Sequence, residues 1–199
     1  DGNGYVGDCM GWNFVSNKKE GDERVHDDTG HGTHVAGIIA AQINNNLGIS
    51  GVAPFLKILP IKVLHKNEQG EQSAGASGTL SDRLAKGILY ASKRGAKVIN
   101  LSLGWPISVD TTYLRNSIDE AIKKGVMIVA AAGNNNHNSP IFPCSYPGVI
   151  CVGAISVDGL MANFSNYGGH VDLLAPGDNI LSTYPQKITP TFFSVQGYE

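Results

Sequence analysis

The sequence predicts an α/β fold built on a parallel sheet. Two observations support this prediction: apolar strand-like segments alternate along the chain with amphipathic helix-like segments, and the segment 126–132 is apolar throughout. Alternation of strands and helices is typical of parallel sheets whose strands are joined by right-handed crossovers. A strand without a polar face indicates a parallel sheet that is covered on both faces.

The first predicted helix begins at His31. Residues 1–30 are rich in Gly, Asp and Asn and are predicted to form a loop, with an apolar patch around Trp12. From His31 to Gln42, histidines and apolar residues recur every three or four positions, which is the period of one helix face. The side chains of His31 and His34 should therefore point the same way.

The rest of the chain is predicted to contain two further helices and five strands. Ser81 and Asp110 would cap the helices, and Gly95 and Gly125 would end them. Pro60 indicates an edge or a bulge in the first strand, because proline has no backbone N–H to donate to a neighbouring strand. The predicted strands cover residues 57–64, 97–103, 126–132, 149–153 and 171–175.

The composition indicates a single globular domain over residues 1–199. A chain of this length can bury a sizeable core without disulfides or metals. Charged residues make up 16%, below the roughly 25% of an average domain, and the formal net charge is -2. No basic patch indicates a nucleic-acid partner, and no run of about 18 apolar residues predicts a membrane span.

Glycine-containing segments follow two of the predicted strands. The strand that begins at Lys97 runs into Ser102–Gly104, and the strand over 126–132 runs into Gly133–Asn134. Ligands of open α/β sheets collect at the carboxyl ends of the strands, and glycine lets a ligand approach the backbone. These segments are therefore candidate ligand-binding residues, although glycine and asparagine also form ordinary turns.

His31 is the candidate base. It is flanked by glycines at the start of the first predicted helix, in the stretch Asp28–Gly37. The positive end of the helix dipole disfavours an imidazolium ion there, and a neutral imidazole can accept a proton near neutral pH. The alternative is a histidine that only caps the helix. His34, one turn further on, is expected to be structural.

Taken together, six motifs resemble the subtilisin-like serine proteases in order and spacing, over nearly the whole chain. The motifs are His31–Gly37, Asn44–Pro54, Val98–Gly104, Ala130–Asn134, Phe142–Ile150 and Ala175–Gly177. The resemblance implies a subtilisin-like parallel sheet flanked by helices, truncated at both ends. It also implies a serine endopeptidase that acts through an acyl-enzyme on polypeptide substrates.

The resemblance assigns a role to each matching residue. His31 would be the general base, and the side-chain amide of Asn134 would stabilise the oxyanion. Phe142–Pro143 would be a cis peptide beside the pocket for the substrate residue P1. The two walls of that pocket would be formed by Ser102, Leu103 and Gly104 on one side and by Ala131, Ala132 and Gly133 on the other.

Two parts of the family pattern are not found in the sequence. The family's triad Asp, which ends a strand well before the His motif in an Asp-x-Gly context, is not found, and Asp22, Asp27 and Asp28 lie on a loop that should reach His31 from the wrong side. Ser194 lacks the Gly-Thr-Ser context of the nucleophile, which is expected beyond Glu199. The alternative to a protease is therefore an inactive pseudoprotease, or a binding or scaffold module of the same fold.

The resemblance also implies structural calcium. One loop would bind the ion through the carbonyls of Ile43, Leu47 and Ile49 and the side chain of Asn45, and an empty loop is the alternative. A weaker cation site would use the carbonyls of Cys144, Tyr146 and Val149 together with Asp172. The stretch Asp1–Asp8 is predicted to be a turn, because Trp12 stands where a calcium loop needs Glu.

Other expectations concern metals, cysteines and partners. Zinc is disfavoured, because Gly-Thr separates His31 from His34 where zinc peptidases have an intervening Glu. The three cysteines form no CxxC pair, and free buried thiols are favoured over a bond between Cys144 and Cys151. By resemblance, the protein would be secreted and monomeric, with an inhibitory propeptide as a partner.

Overall fold

The computed structural model describes residues 4–15, 25–66, 72–73, 77–105 and 112–185. The chain divides into two compact units. The first comprises Asp1–Lys93 and Leu181–Thr191, and the second comprises Arg94–Ile180 and Phe192–Glu199. The expectation of a single peptidase domain stays a prediction.

The first unit, in its described residues, holds two helices and four short strands. Strand β1 pairs in parallel with β2, and β3 pairs antiparallel with β4. The predicted helix at His31 is confirmed. The elements are a 3-10 turn Asp8–Met10, β1 Trp12–Asn13, α1 His31–Ala40, β2 Ile61–Lys62, β3 His65–Lys66, β4 Gln72–Ser73 and α2 Ser77–Lys93.

Three predictions for this unit are wrong in detail. Residues 1–30 are not all loop, because β1 lies within them, and the strand predicted over 57–64 shortens to β2. The Pro60 carbonyl accepts the Trp12 N–H at 3.2 Å, so β1 is the neighbour of this segment. Ser81 does not cap α2, because the buried apolar face begins at Leu80 and the helix therefore starts earlier.

The second unit confirms the predicted parallel sheet. Four strands run in the order β5-β6-β7-β8, and each pair of neighbours is parallel. Leu101 of β5 lies opposite Ala130 of β6, and Ala131 lies opposite Val152 of β7. The elements are β5 Val98–Leu101, α3 Thr112–Lys123, β6 Met127–Ala131, β7 Val149–Ile155 and β8 Leu173–Pro176.

Helix α3 connects β5 to β6 and packs against β6. Its apolar face is buried, since Leu114 and Ile118 are fully buried. Gly125 follows the helix with φ +81°, a conformation that favours glycine. The predicted cap Asp110 lies outside the described residues. Within this unit β6 is not covered on both faces, because Met127 is 52% exposed.

The prediction of free thiols for Cys144 and Cys151 is wrong. Cys144 and Cys151 form a disulfide, whereas the sequence favoured free thiols. The turn that contains Tyr146 folds back on itself and brings the two Cα atoms to 4.8 Å. Cys9 is free and exposed. The preceding peptide, Phe142–Pro143, is cis as predicted.

Candidate active site

His31 is the first residue of α1, and it directly follows Gly30, at a position where the backbone requires a glycine. Gly30 has φ +93°, and a Cβ atom at Gly30 would overlap the ring of Tyr184. The Gly30 carbonyl accepts the N–H of His34 at 2.9 Å and closes the first helical turn. The local geometry of His31 is therefore set by a glycine and by the aromatic ring packed on it.

A carboxylate holds the same turn. One oxygen of Asp27 accepts the N–H groups of Thr29 at 3.0 Å and Gly30 at 2.9 Å. The other oxygen accepts the N–H of Thr33 at 2.8 Å and its hydroxyl at 2.7 Å. Burial raises the pKa of Asp27, but the hydrogen bonds from Thr33, Gly30 and Thr29 outweigh it, so the pKa lies below its ordinary value.

Asp27 therefore supports the turn of His31 through the backbone, a role that the sequence analysis did not give it. The available signal was an Asp two residues before Thr29-Gly30, which is the pattern of an Asx turn. Asp28 instead pairs with Lys62 at 2.8 Å. Asp22 and Ser194 lie outside the described residues.

The electrostatics of His31 favour the neutral imidazole. Burial lowers the pKa of His31, the negative charge of Asp27 opposes this, and His34 lowers the pKa further, leaving it below its ordinary value. The pKa of His31 lies in the predicted direction, and burial is the main cause. Lowering the pH through this pKa would protonate His31 and remove its capacity to accept a proton.

A second support of α1 was missed by the sequence analysis. Three consecutive hydroxyl groups of residues 182–184 donate to backbone carbonyls at the start of this helix. The bonds run from Ser182 to His34 at 2.6 Å, from Thr183 to Thr33 at 2.8 Å and from Tyr184 to Thr29 at 2.9 Å. The only signal in the sequence is the Ser-Thr-Tyr run itself.

The two predicted pocket walls lie side by side in the second unit. Because Leu101 of β5 is opposite Ala130 of β6, residues 102–104 and 131–133 continue from neighbouring parallel strands. Ser102 and Leu103 are partly exposed and Gly104 is exposed, so this strand end is accessible within the unit. The structure therefore brings together the six residues that the sequence assigned to substrate binding.

Ile141 packs between these walls. A Cβ atom placed on Gly104 would lie 2.8 Å from the Cδ1 methyl of Ile141, and one placed on Gly133 would lie 2.7 Å from the same methyl. Ile141 is buried, and the next residue, Phe142, pairs with Trp105 through two backbone hydrogen bonds of 2.9 Å. The sequence analysis missed Ile141, although it directly precedes the predicted cis peptide.

Asn134 is exposed and follows Gly133, whose φ is +99°. A Cβ atom on Gly133 would lie 2.6 Å from the side-chain nitrogen of Asn166, so this close approach requires glycine. His31 belongs to the first unit, whereas Asn134 and the two walls belong to the second. Asn166 is fully buried, which no pattern in the sequence indicates.

In the first predicted calcium loop, residues 43–49, every second residue has a left-handed backbone conformation. Asn44, Asn46 and Gly48 have φ of 60°, 57° and 58°, alternating with the predicted ligands Ile43, Asn45, Leu47 and Ile49. The side-chain oxygen of Asn45 accepts the N–H of Leu47 at 3.0 Å. The loop therefore offers carbonyl and amide oxygens, the donor atoms that calcium prefers.

The second predicted cation site is engaged in hydrogen bonds. The carboxylate of Asp172 accepts the N–H of Cys151 at 2.7 Å, and the Tyr146 carbonyl accepts the N–H of Val149 at 3.1 Å. Over the described residues, no group of three or more His, Cys, Asp or Glu side chains could hold a metal ion. Asp8 is buried and accepts the Tyr90 hydroxyl at 2.9 Å, while Asp1 lies outside the described residues.

Comparison with known proteins identifies the family. The model of the subtilase family matches residues 6–198. The chain therefore belongs to the subtilase family, the subtilisin-like serine proteases, and the predicted fold class is confirmed. In the described part of the chain, no helix is both long enough and apolar enough to cross a membrane.

Among its relatives, the chain is similar to the thermophilic serine proteinase of Bacillus sp. (strain AK1), with 47% identity over 87% of this chain and 39% of the relative. It is also similar to thermitase of Thermoactinomyces vulgaris, with 41% identity over 94% of this chain and 61% of the relative. The crystal structure of MycP1 with its N-terminal propeptide removed superposes with a TM-score of 0.71 at 28% identity, over 88% of this chain and 60% of that chain. The chain thus spans about two fifths to three fifths of the length of these relatives.

Proposed function

We propose that the whole protein is a serine endopeptidase that hydrolyses peptide bonds through an acyl-enzyme, with an Asp-His-Ser triad of which this chain supplies only His31. The observation that supports this most strongly is the setting of His31: the first residue of a braced helix, in the family motif, with its pKa lowered by burial. A partly buried, neutral imidazole is suited to take the proton of a serine hydroxyl.

In this proposal each residue of the chain has one task. His31 accepts the proton of the serine nucleophile and returns it to the leaving amine. Asn134 donates a hydrogen bond to the oxygen that becomes negatively charged in the tetrahedral intermediate. Residues 102–104 bind the substrate backbone as an added strand, and residues 131–133 form the opposite wall of the P1 pocket.

The proposal is tested with a phosphonate probe that labels activated serines. The 199-residue chain by itself is expected to remain unlabelled, because its sequence contains neither the Asp nor the Ser motif of the triad. The complete protein is expected to be labelled stoichiometrically, as measured by intact-mass spectrometry. Its His31→Ala variant serves as the control and should not react.

The alternative is a catalytically inactive member of the family that acts as a binding or scaffold module. An unlabelled complete protein would support this alternative. Labelling of the 199-residue chain by itself would instead show that the nucleophile lies within it and that its assignment to a segment outside is wrong.

Ile141 supports a proposal about the substrate. Its methyl lies where it would meet a Cβ atom placed on either wall glycine, at 2.8 Å for Gly104 and 2.7 Å for Gly133. In this proposal the side chain of P1 enters the space between the walls that Ile141 occupies. Likeness to the family favours uncharged or apolar residues at P1, and Ile141 narrows this preference to small residues. An alanine at P1 fits above the isoleucine, whereas a phenylalanine would collide with it.

Shortening Ile141 should widen the pocket. In the complete enzyme, Ile141→Ala is expected to raise the ratio of kcat/KM for phenylalanine over alanine at P1 by about ten-fold or more. The measurement compares two peptide anilides that differ only at P1. Ile118→Ala, the same change at a buried site of α3, should lower stability without altering the ratio. An unchanged ratio in Ile141→Ala would show that this side chain does not limit P1.

Structural calcium is proposed for the loop 43–49. The carbonyls of Ile43, Leu47 and Ile49 and the side chain of Asn45 would hold the ion, and the left-handed residues between them support this choice. Bound calcium would supply stability rather than chemistry. The second set of residues, around Asp172, is proposed as a weak cation site, as the family likeness implies.

The cellular setting is also proposed from the family. We propose that the protein is secreted and monomeric, and the disulfide between Cys144 and Cys151 supports an oxidising compartment. An inhibitory propeptide is the proposed partner besides polypeptide substrates. The related MycP1, described with its N-terminal propeptide removed, supports this.

A further inference from the structure

One buried asparagine organises the loop of residues 132–137. Asn166 has no exposed surface. Its side-chain oxygen accepts the backbone N–H groups of Asn135 at 2.9 Å and His137 at 3.4 Å, and its side-chain nitrogen donates to the Ala132 carbonyl at 2.8 Å. A single amide group therefore satisfies backbone groups at both ends of the loop.

The backbone of residues 164–167 holds the same loop. Three hydrogen bonds connect them: from the Asn166 N–H to the Gly133 carbonyl at 2.8 Å, from the Asn136 N–H to the Phe164 carbonyl at 2.9 Å, and from the Tyr167 N–H to the His137 carbonyl at 3.2 Å. These backbone bonds and the side-chain bonds of Asn166 fix the loop before and after Asn134, whose own side chain is exposed.

We propose that Asn166 is the positioning residue for Asn134: it fixes the backbone on both sides of the oxyanion donor and so presets the direction of the Asn134 amide. This inference rests on the proposed function. A donor stabilises a developing oxyanion most when its orientation is fixed before the reaction, because no free energy is then spent on reorganisation.

The requirement for asparagine at position 166 follows from the loop geometry. An amide offers an acceptor and a donor on the same carbon, which matches two N–H groups on one side and a carbonyl on the other. An apolar residue would leave three backbone groups, of which the Ala132 carbonyl belongs to a buried residue, without these bonds. The short distance between Gly133 and the Asn166 side chain shows how closely the two segments pack.

The test is a double-mutant cycle in the complete enzyme, with Asn166→Ala, Asn134→Leu and the double variant. Asn166→Ala is expected to lower kcat by about ten- to a hundred-fold while KM stays within two-fold. The double variant is expected to lose about as much as Asn134→Leu alone, because a displaced donor and a missing donor are equivalent. Additive losses in kcat would overturn the proposal.

Ser165→Ala is the matched control. Ser165 is equally buried, but its hydroxyl accepts the N–H of Ala154 in β7 and donates to the Asn166 carbonyl rather than to the loop 132–137. This variant should lower the melting temperature without changing kcat. If Asn166→Ala does not fold, Asn166→Asp takes its place in the cycle: it keeps the acceptor oxygen and the volume, and replaces the donor to the Ala132 carbonyl by a second oxygen, so a smaller but again non-additive loss of kcat is expected.

A second readout separates this inference from the proposed function. Amide hydrogen exchange at Asn135 and His137 should accelerate in Asn166→Ala and not in Ser165→Ala, whether or not the protein hydrolyses peptides. Faster exchange in a protein without peptidase activity would refute the proposed function and keep the positioning role. Unchanged exchange at both amides in a folded Asn166→Ala variant would refute the positioning role.

Discussion

Replacing His31 by alanine in the complete enzyme is expected to lower kcat by about a million-fold, because the members of a catalytic triad act as one unit. That magnitude is the one known for subtilisin, and it is carried over through family membership. The measurement is steady-state hydrolysis of a peptide anilide, with intact mass and circular dichroism to confirm that the variant is pure and folded.

His34→Ala is the matched control on the same helix. The side chain of His34 belongs to the partly buried face of α1, and the carbonyl of His34 accepts the Ser182 hydroxyl. This variant should lose roughly 1–3 kcal/mol of stability and keep its kcat. Equal losses of kcat in the two folded variants would show that the role of the base has been assigned to the wrong histidine.

The parts of the fold that could be predicted depend on local sequence. Helix α1 was found from its three- and four-residue spacing, and β6 was found from a continuous apolar run. The strand predicted over 57–64 was too long, since its pairing depends on β1, which lies about 50 residues earlier. The pairing partner of a strand is not visible in the strand itself.

The start of α2 shows a second limit. Ser81 looked like a cap because serine favours helix ends, but tertiary burial of Leu80, Leu84 and Ile88 extends the helix to Ser77. Packing of an apolar face therefore outweighed the local capping preference. The disulfide was missed for a different reason: a cysteine count does not reveal that two Cα atoms lie close together.

The predicted site shows the same division. His31 and the strand ends were found because the carboxyl ends of parallel strands are where ligands bind. The residues that hold these segments in place were not found, because their contacts connect positions that are distant in the sequence. Tyr184 lies 155 positions from Thr29, and Asn166 lies 31 positions from Asn135. Spacing rules cover a few turns of chain, so such contacts need the folded structure.

The last prediction concerns the oxyanion donor itself. Asn134→Leu keeps nearly the same volume and removes the donor, so it should lower kcat about a hundred-fold or more and leave KM close to unchanged. The reason is that the substrate carbonyl needs little stabilisation before it is attacked, whereas the tetrahedral oxyanion needs a great deal. Because Asn134 is exposed in its unit, the substitution should change the free energy of unfolding by no more than about 0.5 kcal/mol.

Asn138→Leu provides the comparison, since it makes the same chemical change at another exposed position four residues further on. It should leave both kcat and KM as they are, which would show that added surface hydrophobicity does not affect catalysis. An effect of Asn134→Leu confined to KM would mean that Asn134 binds the ground state of the substrate. Transition-state stabilisation would then have to come from another donor, and the positioning role of Asn166 would have no catalytic consequence.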